Sequence, residues 1–160
     1  MANTAAPYGL KPVKRVDGMS YAGAVTEFLI DPAGTTASIY NGNVVYLSGG
    51  YVTPSTDAGT AADPLVNAVG VFVGCSYFNA QGQLIFSQYY PTGTTGVVTA
   101  SVVVDSNVLF QAQSSGSIAQ TELGIEVDMN SATQTGSTAT GNGTDSVGAA
   151  NDAGASFTVV

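Results

Sequence analysis

Residues 66–77 read Val-Asn-Ala-Val-Gly-Val-Phe-Val-Gly-Cys-Ser-Tyr. No charge interrupts the run, and β-branched and aromatic residues dominate it. It is the strongest apolar run of the chain and reads as a strand. Gly70 and Gly74 lie inside it, where glycine marks a bulge or a close approach of another backbone. Upstream, Asn43 to Leu47 is framed by Asn41-Gly42 and Gly49-Gly50, and Tyr51 to Pro54 follows. The Gly49-Gly50 step between these two runs reads as a tight hairpin. Val25 to Ile30 ends in the turn cluster Asp31-Pro32-Ala33-Gly34. Downstream come Leu84 to Tyr90, Gly96 to Asp105, Val108 to Gln113, Ile125 to Met129 and Ser156 to Val160. No window carries the i, i+3, i+4, i+7 stripe of a helix. About nine short strands separated by turn signals specify an all-β fold, a single antiparallel β-sandwich or barrel-like domain over residues 16–160.

Two segments stand outside this pattern. Residues 1–15 hold Pro7 and Pro12, which oppose helix and favour extended backbone, so they read as an extended basic N-terminal arm. From Asn130 to Gly154, Gly, Ser, Thr, Asn, Asp and Ala leave almost nothing large except Val147. That composition cannot build a core and is expected to form a long Gly/Ser/Thr-rich surface loop. The strand-like ending Phe157 to Val160 implies a last strand pinned in the sheet or a natural chain that continues.

Composition excludes many chemistries. The chain has 160 residues, no His, no Trp and one Cys. No Ser-His-Asp triad, Cys-His dyad, His-bearing metal site or intrachain disulfide is available to it. Charged residues are 9% of the chain, against about 25% in an average soluble domain. All 3 cations, Lys11, Lys14 and Arg15, precede all 11 acids, and the net charge is −8. Three cations cannot neutralise the roughly six to ten phosphates of a DNA footprint, so no nucleic-acid partner is expected. The charge-free stretch from Pro64 to Val104 is studded with polar residues and is not a membrane span. No apolar segment accompanies the N-terminal cations, so no signal peptide is expected.

Catalytic constellations are equally absent from the pattern. Gly141-Asn142-Gly143-Thr144 lacks the lysine and the strand–helix setting of a phosphate loop. Glu122, Glu126 and Asp128 are close in sequence, and Asp57 and Asp63 flank a short loop, but both sets read first as surface acids. Cys75 has no base or cation beside it and reads as an inert buried thiol. The eight tyrosines read as strand residues with a wet hydroxyl tip. No enzyme activity, metal or cofactor is expected. In the arm, Tyr8, Leu10, Pro12 and Val13 offer apolar anchors beside Lys11, Lys14 and Arg15. These seven residues are the candidate partner-binding set, with the cations pairing acids on a neighbouring surface.

The opening Met1-Ala2-Asn3, continuing through Ala6-Pro7-Tyr8-Gly9-Leu10-Lys11-Pro12-Val13, resembles the start of a family of small virion proteins of tailed phages, especially marine and cyanobacterial ones. In that family the opening is followed by Gly-x-x-Tyr-x-Gly, matched here by Gly18-Met19-Ser20-Tyr21-Ala22-Gly23. Ile39-Tyr40-Asn41-Gly42-Asn43-Val44-Val45, Val69 to Gly74 and Val104 to Gln113 continue the resemblance in the same order, over most of residues 1–129. Position 43 is Asn where the family pattern often has Asp. The family usually continues past the strand matching Ser156 to Val160. The resemblance implies a capsid decoration, or cement, protein on the outer capsid surface of a virion, made in the host cytoplasm. Its implied partners are the major capsid protein and neighbouring copies of itself, as a trimer at threefold positions or a dimer at twofolds. The alternative is a receptor- or carbohydrate-binding β-module of a tail or fibre, motivated by the tyrosines and the 130–154 segment.

Overall fold

The computed structural model describes residues 6–56, 68–130, 133–148 and 157–160. Among these the regular structure is strand, apart from one 3-10 turn at Gln120–Glu122. The strands are β1 (Lys11–Arg15), β2 (Thr26–Ile30), β3 (Val44–Ser48), β4 (Tyr51–Pro54), β5 (Ala68–Phe78), β6 (Leu84–Ser87), β7 (Val98–Val103), β8 (Val108–Gln111), β9 (Glu126–Val127) and β10 (Phe157–Thr158). Every strand pair is antiparallel. The chain is all-β, as its pattern specifies.

β5 organises the main sheet. Its order is β2-β7-β5-β3-β4, with β6 also paired to β5. β7 takes one edge of β5, while β3 and β6 share the other, β3 opposite residues 68–71 and β6 opposite residues 75–78. β2 and β4, the two ends of this order, approach within 8 Å between Cα atoms. The sheet therefore curls into a partly closed barrel. Gly49 and Gly50 join β3 to β4 with φ of 58° and 88°, the paired positive values of a type I′ hairpin turn.

Both glycines of β5 act as their setting requires. A Cβ on Gly70 would lie 2.1 Å from the carbonyl oxygen of Val103, so β5 and β7 can meet there only without a side chain. At Gly74 the register shifts: Phe72 faces Val102, and Cys75 faces Ala100. Two steps on β7 thus oppose three on β5, which is a β-bulge. The extra residue brings Phe72 and Cys75 to the same face, where strict alternation would have separated them.

That face lines the first core, with Ile30, Ile39, Val45, Val52, Phe72, Tyr90, Val98, Ala100 and Val102 buried together. Each fully buried valine or phenylalanine contributes roughly 1.5–3 kcal/mol relative to exposure. Val44 and Val71 point the other way, into a second core with Leu10, Val127, Met129 and Val147. This is why β3 and β5 read as continuous apolar runs: both of their faces are covered at this point.

The 130–154 segment departs from the expected surface loop. Residues 133–148 pack against the corner at Tyr40–Val44, with Gln134, Asp145 and Val147 buried. The contacts are polar and backbone-directed, so apolar patterning does not reveal them. Gln134 Oε1 accepts from Val44 N–H at 3.1 Å. Asn43 Nδ2 donates to Asp145 Oδ2 at 2.6 Å and to Thr135 C=O at 3.1 Å. Asn43 Oδ1 accepts from Tyr40 N–H at 2.7 Å. Gly136 lies so close to the Tyr40 ring that a Cβ would fall 2.1 Å from it, and Tyr40 stacks on Tyr89 at 5.7 Å. Residues 131, 132 and 149–154 of the expected loop lie outside the described residues.

The arm also differs from an extended tail. β1 pairs with β8 of its own chain, with a register shift between Pro12 and Lys14. Pro12 has no N–H to donate, and an irregular two-stranded ribbon accommodates it. Leu10 is 3% exposed in the second core, and Gly9 and Leu10 N–H donate to the carbonyls of Asp145 and Gly42.

Candidate functional site

A cleft of about 1100 Å³ lies between the outer face of the main sheet and the β1–β8 ribbon. Its floor comes from β5 and β7, where Gly74, Ser76 and Ser101 present little bulk. At Gly74 a Cβ would sit 3.0 Å from Ser87 C=O, so the bulge favours glycine there. One wall is the arm, through Tyr8, Lys11 and Pro12. Another is Tyr21, whose hydroxyl donates to Ala24 C=O at 3.1 Å and so fixes its ring. β6 and the residue after it supply Phe86 and Gln88.

The seven arm residues singled out from the sequence separate in the structure. Tyr8, Lys11 and Pro12 line the cleft. Val13 is 51% exposed and Lys14 is exposed. Leu10 is withdrawn into its own chain's core, so it has no side chain left for a neighbour. Arg15 is also claimed internally, with Nε 3.4 Å from Asp17 Oδ2 and Nη1 3.6 Å from Asp105 Oδ2. These pairs are partly solvent-exposed, and such pairs contribute about 0–1 kcal/mol. Within the single chain, burial thus takes Leu10 first, and Arg15 sits beside two acids of its own chain.

The other titratable candidates do not converge. The Glu122 carboxylate accepts from Ala119 N–H and caps the 3-10 turn. Glu126 and Asp128 flank the buried Val127, so they share a face without forming an enclosed pair. Asp57 and Asp63 lie outside the described residues. No cluster of three or more His, Cys, Asp or Glu side chains able to hold a metal occurs among the described residues. Cys75 is buried and its thiol donates to Tyr89 C=O at 3.4 Å. Burial pushes this thiol up to about 12, so it carries no thiolate near neutrality and is a core residue.

Residues that the sequence did not single out complete the cleft. Gln111 faces Lys11 across the β1–β8 register, and Asn142 comes from the packed 133–148 segment. Phe86 and Gln88 carry a readable signal, an aromatic and an amide two apart on one strand face. Gln111 and Asn142 carry none, because the ribbon and the 133–148 packing bring them there. Comparisons with family models, with curated proteins and with solved structures give no match. The chemistry of the site therefore rests on its own residues.

Proposed function

We propose that this chain is a structural virion protein that decorates a tailed-phage capsid and stabilises it across junctions of the major capsid protein. The observation that carries the reading is an unpartnered apolar face on an otherwise acidic body. Leu29, Thr99, Ser76 and Phe86 form one cross-strand row over β2, β7, β5 and β6. Phe78 and Leu84 form the neighbouring pair on that face. Phe86 is 79% exposed, Phe78 57%, Leu84 49% and Leu29 47%. Leu29 lies at one end of the row, while Phe86, Leu84 and Phe78 cluster at the other, and an exposed apolar cluster of this kind marks an interaction site. It fits a large, fixed partner such as a shell, where many symmetric copies multiply a weak contact. The ordered motifs between Pro7 and Gln113 support the same reading.

Lys11 and Lys14 of β1 are the remaining arm contacts to acids on the capsid or on a neighbouring copy, with the exposed Val13 an apolar contact between them. The acidic remainder faces solvent and keeps particles apart by like-charge repulsion. The test is to mix the purified chain with expanded, undecorated phage shells and image them by cryo-electron microscopy. Density at every equivalent lattice position is expected, and its loss in the Leu29→Asp/Phe86→Asp variant. Absence from the lattice, or a few copies at a tail, would replace decoration with the tail or fibre binding module.

A further inference from the structure

We propose that the cleft between the main sheet and the β1–β8 ribbon binds a neutral oligosaccharide. Its volume, about 1100 Å³, lies just above the range of about 300–1,000 Å³ for small-molecule sites, which suits several linked sugars better than one. Three rings, Tyr8, Tyr21 and Phe86, stand in its walls. Aromatic faces accept the apolar C–H face of a pyranose, and tyrosine adds a polar tip at the same place. Gln88, Gln111 and Asn142 add side-chain amides, and no protein partner engages those amides among the described residues. Each amide offers two donors and an acceptor, which complements the vicinal hydroxyls of a sugar. The hydroxyl-bearing floor at Ser76 and Ser101 extends that polar lining, so the cleft is ill suited to a purely apolar ligand.

Charge selects among sugars. The lining holds one cation, Lys11, and one carboxylate, Glu27. The net charge of the whole chain is −8. A polyanionic glycan or a phosphate ester would meet a repulsive field with a single lysine to offset it. A neutral chain meets no such penalty. This inference does not depend on capsid attachment, and it concerns the free chain, because Lys11, Ser76 and Phe86 line the cleft and also belong to the surface proposed to meet the capsid.

The test is calorimetric titration of the purified full chain with neutral pentasaccharides of glucose, galactose, mannose and N-acetylglucosamine. A pentasaccharide of galacturonic acid is the anionic comparison. Saturable binding of at least one neutral chain is expected, unaffected by salt. The Gln88→Ala/Gln111→Ala variant, changed only at exposed positions, should weaken it about five- to tenfold with an unchanged melting temperature. Tyr8→Ala should weaken it further; if that variant unfolds, the amide variant carries the test. No saturation by any neutral pentasaccharide at about millimolar concentration, preference for the uronic chain, or full affinity in the amide variant would overturn the proposal. No shell is needed, so failure here leaves decoration standing, and failure to decorate leaves this binding measurable.

Discussion

Asn43 is buried and uses its side chain in both senses. Its oxygen accepts from Tyr40 N–H while its nitrogen donates to Asp145 and to Thr135 C=O. An aspartate has no donor, so Asn43→Asp would set two carboxylates about 2.6 Å apart. Like charges that close cannot both ionise in a buried site. We expect this variant to lose about 3–5 kcal/mol near pH 7 and to recover much of it near pH 5, measured by urea unfolding. The wild type shares the sign more weakly. Burial raises the Asp145 carboxyl above its ordinary value, against hydrogen bonds from Thr135 and Asn43. A raised folded-state value means the native state holds its proton more tightly than the unfolded chain does. The contribution of Asp145 to stability therefore rises as pH falls from its folded value towards the ordinary 3.8. Gly70 is the other residue whose identity is forced. Gly70→Ala places a methyl against Val103 C=O and should cost about 3 kcal/mol in thermal or chemical unfolding, since β5 and β7 must separate to admit it.

At the scale of elements, strands with an apolar pattern are legible and elements held by polar contacts are not. β2 to β8 fall inside or within a residue or so of their expected runs, because alternation and glycine punctuation act locally. The 133–148 segment has no such pattern, yet it places Gln134 on the Val44 amide and Val147 in the second core. Gln134→Ala strands that amide and should cost about 1–3 kcal/mol. Thr138→Ala, exposed on the same segment, should stay within about 0.5 kcal/mol. Equal, negligible effects in urea unfolding would show that the segment contributes nothing to stability. The arm follows the same logic. Pro7, Pro12 and three cations make it look detached, whereas Leu10 inserts into the second core and β1 pairs with β8. Removing residues 1–15 would therefore unseat Leu10, so its surface role is best probed by point substitutions.

Across the whole molecule, segregated charge sets the behaviour. Arg15 is paired internally, which leaves Lys11 and Lys14 as the cations free to meet an acidic partner. Attachment to shells should weaken as salt rises from about 0.05 to 0.5 M, because exposed pairs are screened over roughly 10 Å or less. The Lys11→Gln/Lys14→Gln variant should lose most of that salt dependence in a co-sedimentation assay. Unchanged salt sensitivity would remove both lysines from the interface and leave the apolar face to act alone. The sequence by itself determined the all-β class, the β5 run with its bulge, the Gly49-Gly50 hairpin, the inert Cys75 and the acidic body. Each follows from local sterics, from residue period or from composition, which need no knowledge of distant neighbours. Only the tertiary structure decided that the arm belongs partly to its own core, that residues 133–148 are packed, and that Tyr8, Gln88, Gln111 and Asn142 meet around one cleft. Those outcomes depend on hydrogen bonds and packing between residues up to a hundred or so positions apart. Such contacts become favourable only after the sheet has closed the intervening loops, and no local pattern encodes them.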